Sequence, residues 1–199
     1  MEEGFGPRFA AAIAAIDVAN SADPNTIATA DGPRPKEPTH AEMMTRWVRR
    51  LAAAPSEALL LAARAHHIRR WEVPRSSYPA GRHGYLRWRS DLHRFHAETT
   101  AAILRECGYD EATITRVSDI IQKRNLRDDP EVQVFEDALN LVFLETQFHE
   151  FRGRHEAEKL AGIIRKTWRK MSPAGQAQAL QLDLPAEDRA FVEHALSQE

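Results

Sequence analysis

The chain has 199 residues, of which 43% are apolar and 28% charged, and its formal net charge is −2. These values are typical of one soluble globular domain and exclude a global polyelectrolyte role. The single cysteine, Cys107, excludes an internal disulfide, and no apolar run is long enough to span a membrane. Because the N-terminal segment lacks the basic region of a signal peptide, we expect a cytoplasmic protein with no membrane partner.

Helical periodicity predominates along the chain. Apolar residues recur at steps of three and four, as in the first segment, where Phe9, Ile13 and Ile16 form a stripe. We predict helices over residues 5–19, 40–53, 55–71, 85–107, 110–124, 130–151 and 155–170, with two short ones after residue 171. Residues 21–39 contain four prolines and are predicted to form a loop, with Thr39 capping the helix that follows.

No segment shows the strict alternation of a β-strand, and neither an internal repeat nor a persistent heptad is present. The sequence therefore predicts an all-α fold, a compact irregular helical bundle in a single domain. Within it, residues 1–171 are predicted to form the main body and residues 172–199 a C-terminal helical appendage of the same domain.

Arginine is concentrated in one segment. Residues 64–94 contain eight arginines and two acidic residues, although the chain as a whole is slightly acidic. Such a segment in a near-neutral protein usually binds an anion, and the guanidinium fork suits phosphate or carboxylate. A solvated helix face is the alternative. The loop inside this segment, which contains Gly81 and Gly84, is expected to close over a bound ligand.

Two adjacent histidines interrupt an otherwise apolar helix. Helical spacing puts His67 on one stripe with Leu60 and predicts that it faces inward, so at least one imidazole of the His66–His67 pair should be buried. His96 lies in the middle of the inward stripe of the next helix, and His93 precedes it by three residues. Both can be metal ligands or proton carriers, although a single buried histidine is more often bonded to a carbonyl group.

The segment 130–151 is apolar on every face and is predicted to be a buried helix. Glu136 and Asp137 lie inside it, and a buried carboxylate requires a partner. The structural alternative is an ion-pair network with a basic side chain from elsewhere, namely Arg64, Arg69 or Lys123.

A divalent metal ion is the functional alternative for these acids. His67, His96 and Asp137 would supply three ligands from three helices, which is how helical metal sites are built. Manganese, iron and zinc all accept nitrogen and oxygen ligands, so the identity of the ion stays open. A metal ion beside an arginine-rich segment points to a phosphorylated, anionic substrate.

Four segments carry a family resemblance, namely AARAHHIRRWEVPRSSYPAGRHGYLRWR, FHAE, DPEVQVFEDALNLVFLE and KTWRKMS. They resemble a bacterial and fungal family of unknown function whose members are often labelled glutamyl-tRNA synthetase. The likeness covers nearly the whole chain, and neither a nucleotide-binding βαβ pattern nor a synthetase motif accompanies it. The family label therefore implies almost no chemistry.

The order of the elements is also similar to that of the HD-domain superfamily of metal-dependent phosphohydrolases. This resemblance implies that His67 stands at the histidine of the His-Asp pair, His96 at the downstream histidine and Asp137 at the terminal aspartate. His40, which opens its predicted helix, would be the first histidine of the superfamily pattern.

The chain departs from that pattern at two positions. Ile68 occupies the place of the aspartate in the His-Asp pair, and Lys123 falls where some dinuclear members have a further histidine. The site is then mononuclear, rebuilt with Glu136 or Glu98, or free of metal.

The first functional hypothesis is a metal-dependent hydrolase of a phosphorylated or nucleotide-like small molecule. Lys123 or His93 would protonate the leaving group, and Glu136 would act close to the metal. The substrate would be held by basic and aromatic residues of the arginine-rich segment, namely Arg69, Arg75, Tyr78, Arg82, Tyr85 and Arg89.

Three alternatives remain open. The abundance of histidine and carboxylate ligands suits a di-iron oxygenase of HD-like fold. Arginines interleaved with aromatic residues suit an RNA-binding module without catalysis. A scaffold or dimerising bundle, whose buried acids pair with arginines, needs no ligand at all. The oligomeric state is equally open.

Overall fold

The computed structural model describes residues 5–29, 31–154 and 156–198. The prediction of an all-α fold is confirmed. The helices are α1 (Gly6–Asn20), α2 (Lys36–Leu51), α3 (Glu57–Ala65), α4 (Gly81–Glu106), α5 (Glu111–Ile121), α6 (Pro130–Thr146), α7 (Phe148–Arg152), α8 (Ala157–Trp168), α9 (Pro173–Leu180) and α10 (Ala186–Ser197). Single 3-10 turns span Arg70–Glu72 and Arg75–Ser77. Across these described helices, none combines the length and apolarity that a membrane crossing requires.

Helix α3 lies at the centre of the bundle. It packs against α1, α2, α5 and α6, and its consecutive leucines Leu59, Leu60 and Leu61 are all buried. A helix that is apolar on every side is stable only when other elements surround it. Helix α4 packs along α5, α6 packs on α2 and α9, and α8 packs on α10. The turn that follows α3, with its two histidines, therefore starts inside the core.

Several predicted helix ends are confirmed. The Asp110 carboxylate caps α5 by accepting from the backbone N–H of Thr113 at 2.7 Å, and Asp129 caps α6 by accepting from that of Val132 at 3.2 Å. Gly108 follows α4 with a φ of +78°, a conformation that glycine adopts without strain. Local side-chain chemistry is thus sufficient to place these ends.

The prediction of a loop over residues 21–39 is wrong. Strands β1 (Thr26–Thr29) and β2 (Gly32–Pro35) pair there as an antiparallel hairpin, and α2 begins at Lys36. Prolines are tolerated in a two-stranded ribbon because both of its strands are edges, and Pro38 is tolerated in the first turn of a helix. Thr39 is not a cap, because it lies within α2 and its hydroxyl donates to the Pro35 carbonyl.

Two predicted helices end earlier than their apolar patterns. Helix α3 stops at Ala65, and Arg69 adopts a left-handed φ of +50°. The apolar stripe predicted to run from Leu60 through His67 therefore does not continue to His67. Of the two histidines, His66 is the more deeply buried, with 4% of its surface exposed. Likewise the helix predicted over 130–151 is interrupted at Gln147, where α6 gives way to α7.

We predict that Gly84→Ala destabilises the protein. A Cβ on Gly84 would lie 2.0 Å from the Pro79 carbonyl oxygen, so the loop that crosses the start of α4 would have to shift, at a cost of about 1–3 kcal/mol. Gly162→Ala is the matched control, since a Cβ there meets nothing within 4 Å and alanine favours helix by about 1 kcal/mol. Urea unfolding of both variants measures the difference; equal stability would contradict the close packing at Gly84.

Candidate functional site

A cavity of 320 Å³ lies between the turn after α3 and the helices α4, α6 and α8. One face of α4 lines it, with residues three and four apart: Tyr85, Trp88, Arg89, Leu92, His93 and His96. A second wall is one stripe of α6 and α7: Phe135, Leu139, Phe143, Gln147 and Phe151. His66, His67 and Arg70 enter from the turn, and Lys123 from the end of α5. The first wall is basic and the second is largely apolar.

Two arginines of the cavity have no carboxylate partner. Within the described part of the chain, neither Arg70 nor Arg89 has an acidic oxygen within 4 Å of its guanidinium group. Instead, Arg70 lies over the Trp88 ring at 5.0 Å and Arg89 over the Tyr85 ring at 5.9 Å. Burial lowers the pKa of Arg70, but a guanidinium stays protonated in proteins. The cavity therefore carries positive charge that an anionic ligand would neutralise.

Other arginines of the basic segment are engaged elsewhere. Arg64 forms a two-pronged ion pair with Asp17 at 2.5 and 2.6 Å, and Arg69 pairs with Glu72 at 2.7 Å. The predicted ligand-binding residue Arg69 thus does not line the cavity. The arginine segment is only partly an anion site, because several of its members stabilise the fold.

Three further residues predicted to hold the substrate also lie outside the cavity lining. Arg75 donates to the backbone carbonyls of Tyr78 at 2.9 Å and Pro79 at 2.8 Å, which shapes the loop before α4. The Tyr78 hydroxyl donates to Asp91 at 3.1 Å, and Arg82 is exposed. Of the six predicted substrate residues, the structure brings Tyr85 and Arg89 to the cavity.

A buried cluster of one carboxylate and two histidines adjoins the cavity. The Glu37 Oε2 atom lies 3.2 Å from His67 Nδ1 and 3.7 Å from His40 Nδ1. Candidate ligand atoms of these three residues all fall within 4.8 Å of one another. His67 also lines the cavity, and its ring stacks on that of His66 at 4.1 Å and lies 5.7 Å from that of His96.

The backbone of the N-terminal region holds Glu37 in this position. Its N–H donates to the buried Asp23 carboxylate at 2.8 Å, and the hairpin β1–β2 returns the chain to the residues next to Asp23. Glu37 and His40 then lie three residues apart in the first turn of α2, on one face. The pairing of Glu and His at this spacing is a recurrent feature of helical metal sites.

Hydrogen bonds define which histidine nitrogens carry a lone pair. Thr146 donates its hydroxyl proton to the Val142 carbonyl at 2.7 Å, so it accepts from His40 Nε2 at 3.3 Å. In neutral His40, Nδ1 then turns a lone pair toward Glu37. His96 Nδ1 donates to the Ile68 carbonyl at 2.8 Å, and its buried Nε2 has no partner among the described residues.

A lone pair facing a carboxylate is repulsive unless a cation or a proton lies between them. His66 adds to the imbalance, since both of its ring nitrogens are buried without a partner in the described part of the chain. Buried polar atoms without partners are rare in native proteins and call for an explanation. Nitrogen and oxygen donors of this kind match the preferences of Zn²⁺, Mn²⁺ and Fe²⁺. These residues therefore fit a divalent metal ion.

The charges of the cluster follow from burial and proximity. Burial alone would raise the pKa of Glu37, but the neighbouring imidazoles, His67 foremost, outweigh this and hold its pKa below the usual range. Burial, followed by the charge of Arg70, lowers the pKa of His67 to about 4. The pKa of His96 is lowered, mainly by burial. At neutral pH the site thus holds an ionised Glu37 carboxylate beside the uncharged imidazoles of His67 and His96, which is the ligand form that metals bind.

Lys123 and Glu136 form a buried ion pair at the end of α5. The Lys123 ammonium group contacts the Glu136 carboxylate directly, and Lys123 also lines the cavity. Burial lowers the pKa of the lysine, although Glu136 opposes this shift. Lys123 has a φ of +57°, an unusual conformation for a residue with a Cβ. The structure therefore brings two of the predicted catalytic residues together, and the third, His93, lines the same cavity as Lys123.

Asp137 is not brought to His67 and His96. Its carboxylate accepts from the Ser172 N–H at 2.9 Å, the Ser172 hydroxyl at 2.5 Å and Gln133 Nε2 at 3.0 Å. These bonds join α6 to the start of α9. Because adjacent residues of a helix point about 100° apart, Glu136 faces Lys123 while Asp137 faces α9. The carboxylate of the histidine cluster is Glu37 instead.

Glu37 and Arg70 were not among the predicted site residues. The spacing of Glu37 and His40 is a usable signal, but it lies in the proline-rich stretch that was predicted as a loop. Arg70 belongs to the arginine-rich segment, but the sequence assigns it no specific contact with a ligand. Its position depends on the left-handed turn at Arg69, which periodicity does not show.

A second group of possible ligands lies at the surface between α7 and α10. It comprises His149, Glu187 and Asp188. Arg152 already occupies this group, since its guanidinium pairs with Asp188 at 2.6 Å and with Glu187 at 2.7 Å. The arrangement is an ion-pair network that joins two helices.

Comparison with known proteins identifies a family but no activity. Neither a curated protein nor a solved structure matches the chain significantly. A family model described as a domain of unknown function, DUF4202, matches residues 10–192. This match covers the histidine cluster and the whole cavity. The chain therefore belongs to the DUF4202 family.

Proposed function

We propose that this protein is a metal-dependent hydrolase that acts on a small phosphorylated molecule. The observation that carries the proposal is the junction of two features in one place. A buried carboxylate–histidine cluster adjoins a cavity into which Arg70 and Arg89 bring positive charge without an acidic partner among the described residues. A metal site and an anion site in contact are what phosphoester hydrolysis requires.

Glu37, His40 and His67 would hold the metal ion, with His66 and His96 as the neighbouring imidazoles. When bound, such an ion polarises a phosphoryl oxygen and lowers the pKa of a coordinated water. The Ile68 carbonyl and the Thr146 hydroxyl would orient the rings of His96 and His40, since the second hydrogen bond of a ligand histidine sets its tautomer. This ligand set replaces Asp137 of the HD-like pattern by Glu37.

Two cavity arginines, Arg70 and Arg89, would bind the phosphoryl group. Arg70 and Arg89 donate in the fixed planar geometry that matches phosphate oxygens, and the aromatic rings beneath them restrict their movement. These donors neutralise the negative charge that develops on the phosphoryl oxygens in the transition state.

Lys123 would serve as the proton donor. A water molecule forms a bond to phosphorus and releases a proton, while the bond between phosphorus and the alcohol oxygen breaks. The departing oxygen takes a proton from the Lys123 ammonium group, and the proton released by the water replaces it on Lys123. Glu136 positions that group and keeps it protonated. His93, beside them on α4, would accept a hydrogen bond from the bound substrate or its water.

An oxygen-activating di-iron centre is the second candidate. Beyond the Glu37 cluster, His66 and His96 offer buried nitrogens that have no described partner, which is more than one metal ion needs. Two bound irons and consumption of oxygen would favour this function over hydrolysis.

We predict that Glu37→Gln abolishes metal binding and that Asp137→Asn does not. The amide of glutamine keeps the shape of Glu37 but removes the charge that binds the ion. Asp137→Asn disturbs bonds to Ser172, so it lowers the free energy of unfolding by about 1–3 kcal/mol and leaves the metal content unchanged. Elemental analysis and circular dichroism of both purified variants provide the measurement. Loss of metal from Asp137→Asn alone would restore the ligand set predicted from the sequence.

We predict that the wild-type protein releases phosphate from a small phosphomonoester and that chelation stops the reaction. Arg89→Met should lower kcat/KM by about 100-fold, the usual loss for one donor to a developing oxyanion. Arg82→Met is the matched control, because Arg82 lies on the same helix but is exposed and outside the cavity. Equal activity of the two variants would contradict the assignment of the anion site.

A further inference from the structure

The α6–α7 wall of the cavity contains almost no hydrogen-bonding groups. Phe135, Leu139, Phe143 and Phe151 follow one another at multiples of four residues, so they form a single stripe. Gln147 is the one polar member of that stripe, and α8 extends the wall with Ile163 and with one further hydrogen-bonding residue, Thr167. The basic groups of the cavity come from other elements. Anything that fills the cavity therefore meets two surfaces of different chemistry.

Within the described part of the chain, this apolar wall is only partly buried. Leu139, Phe143 and Ile163 are each of intermediate exposure although they line a cavity. The ring of Phe143 meets that of Phe151 edge-on with centroids 5.5 Å apart, so the aromatic groups form a fixed surface. Leaving such a surface in contact with water costs free energy, which an apolar ligand would recover.

The cavity volume indicates how much of a ligand the lining residues can surround. A cavity of about 150 Å³ is enough to hold one benzene ring. The 320 Å³ here therefore accommodates a phosphoryl group and one ring, or a short alkyl chain. A ribose would bring hydroxyl groups to a wall that offers them few partners.

We infer that the substrate is a phosphomonoester whose organic part is a single apolar ring or a short alkyl chain. Its phosphoryl group contacts Arg70 and Arg89, and its apolar part lies on the α6–α7 stripe beside Phe143 and Leu139. This inference rests on the proposed function and names the substrate class for it. It also separates the substrate from nucleotides and sugar phosphates, whose polar groups this wall does not satisfy.

Binding of non-hydrolysable phosphonates tests the inference apart from catalysis. Calorimetric titration of the full chain, with and without Mn²⁺, compares phenylphosphonate with methylphosphonate, which has the same head group but no ring. Burial of one ring should give roughly 10- to 100-fold tighter binding of phenylphosphonate. Leu139→Ala should reduce this preference and leave methylphosphonate affinity unchanged, whereas Arg89→Met should weaken both ligands by the same factor.

The outcomes separate this inference from the hydrolase proposal. Equal affinities for the two phosphonates, or tighter binding of AMP than of phenylphosphonate, would overturn the inference even if phosphate is released from other esters. A clear preference for phenylphosphonate without phosphate release from phenyl phosphate would support the ligand class assigned to the cavity, an apolar group joined to a phosphorus-centred anion, and overturn the hydrolase. Because the wild-type comparison needs no variant, it remains decisive if Leu139→Ala does not fold.

Discussion

The burial of the Glu37 charge is the constraint on which the rest of the site depends. Glu37 is 4% exposed and His40 1% exposed, so water cannot solvate the carboxylate, and several kcal/mol would be lost without compensation. Two sets of contacts hold Glu37 in place. The Asp23 carboxylate fixes the start of α2 through the Glu37 N–H, and the imidazoles surround the side-chain oxygens. A site assembled at such a cost is better explained by a bound cation than by stability alone.

The position of the cluster follows from the central place of α3. Because α3 is enclosed by four other helices, the turn after it leaves the core between α2 and α4. The left-handed residue Arg69 ends that turn, and its N–H donates to the buried Asn20 side chain at 2.9 Å. One short segment therefore sends His67 toward Glu37 and Arg70 toward the cavity. The Glu37 cluster and the arginines of the cavity share this support.

The sequence permits accurate prediction where local chemistry decides the outcome. The all-α fold, the caps at Asp110 and Asp129 and the inward position of His96 all follow from periodicity and capping residues. Periodicity does not predict which distant segments of the chain contact each other. Nothing in the spacing of Glu136 and Asp137 shows that Lys123 takes one acid and Ser172 the other.

The proline-rich segment is the clearest failure of prediction. Four prolines favour a loop by local rules, yet Pro33 and Pro35 occupy edge-strand positions and Pro38 lies in the first turn of α2, where they cost little. Helix α2, which begins within this proline-rich segment, carries Glu37, the acid on which the candidate site depends. The basic segment shows the converse, since its charge predicts an anion site but does not distinguish Arg89 in the cavity from Arg64 in an ion pair.

A crystal structure of the protein grown with Mn²⁺ or Zn²⁺, with anomalous diffraction data for that metal, tests the central claim most directly. The account predicts an anomalous peak bonded to a Glu37 carboxylate oxygen and to nitrogens of His40 and His67. A peak at Asp137, or at the surface group of His149 and Asp188 with none at Glu37, would contradict it. The absence of any peak at these residues would also contradict the account, because a proton shared by Glu37 and His40 would then be sufficient to explain the cluster.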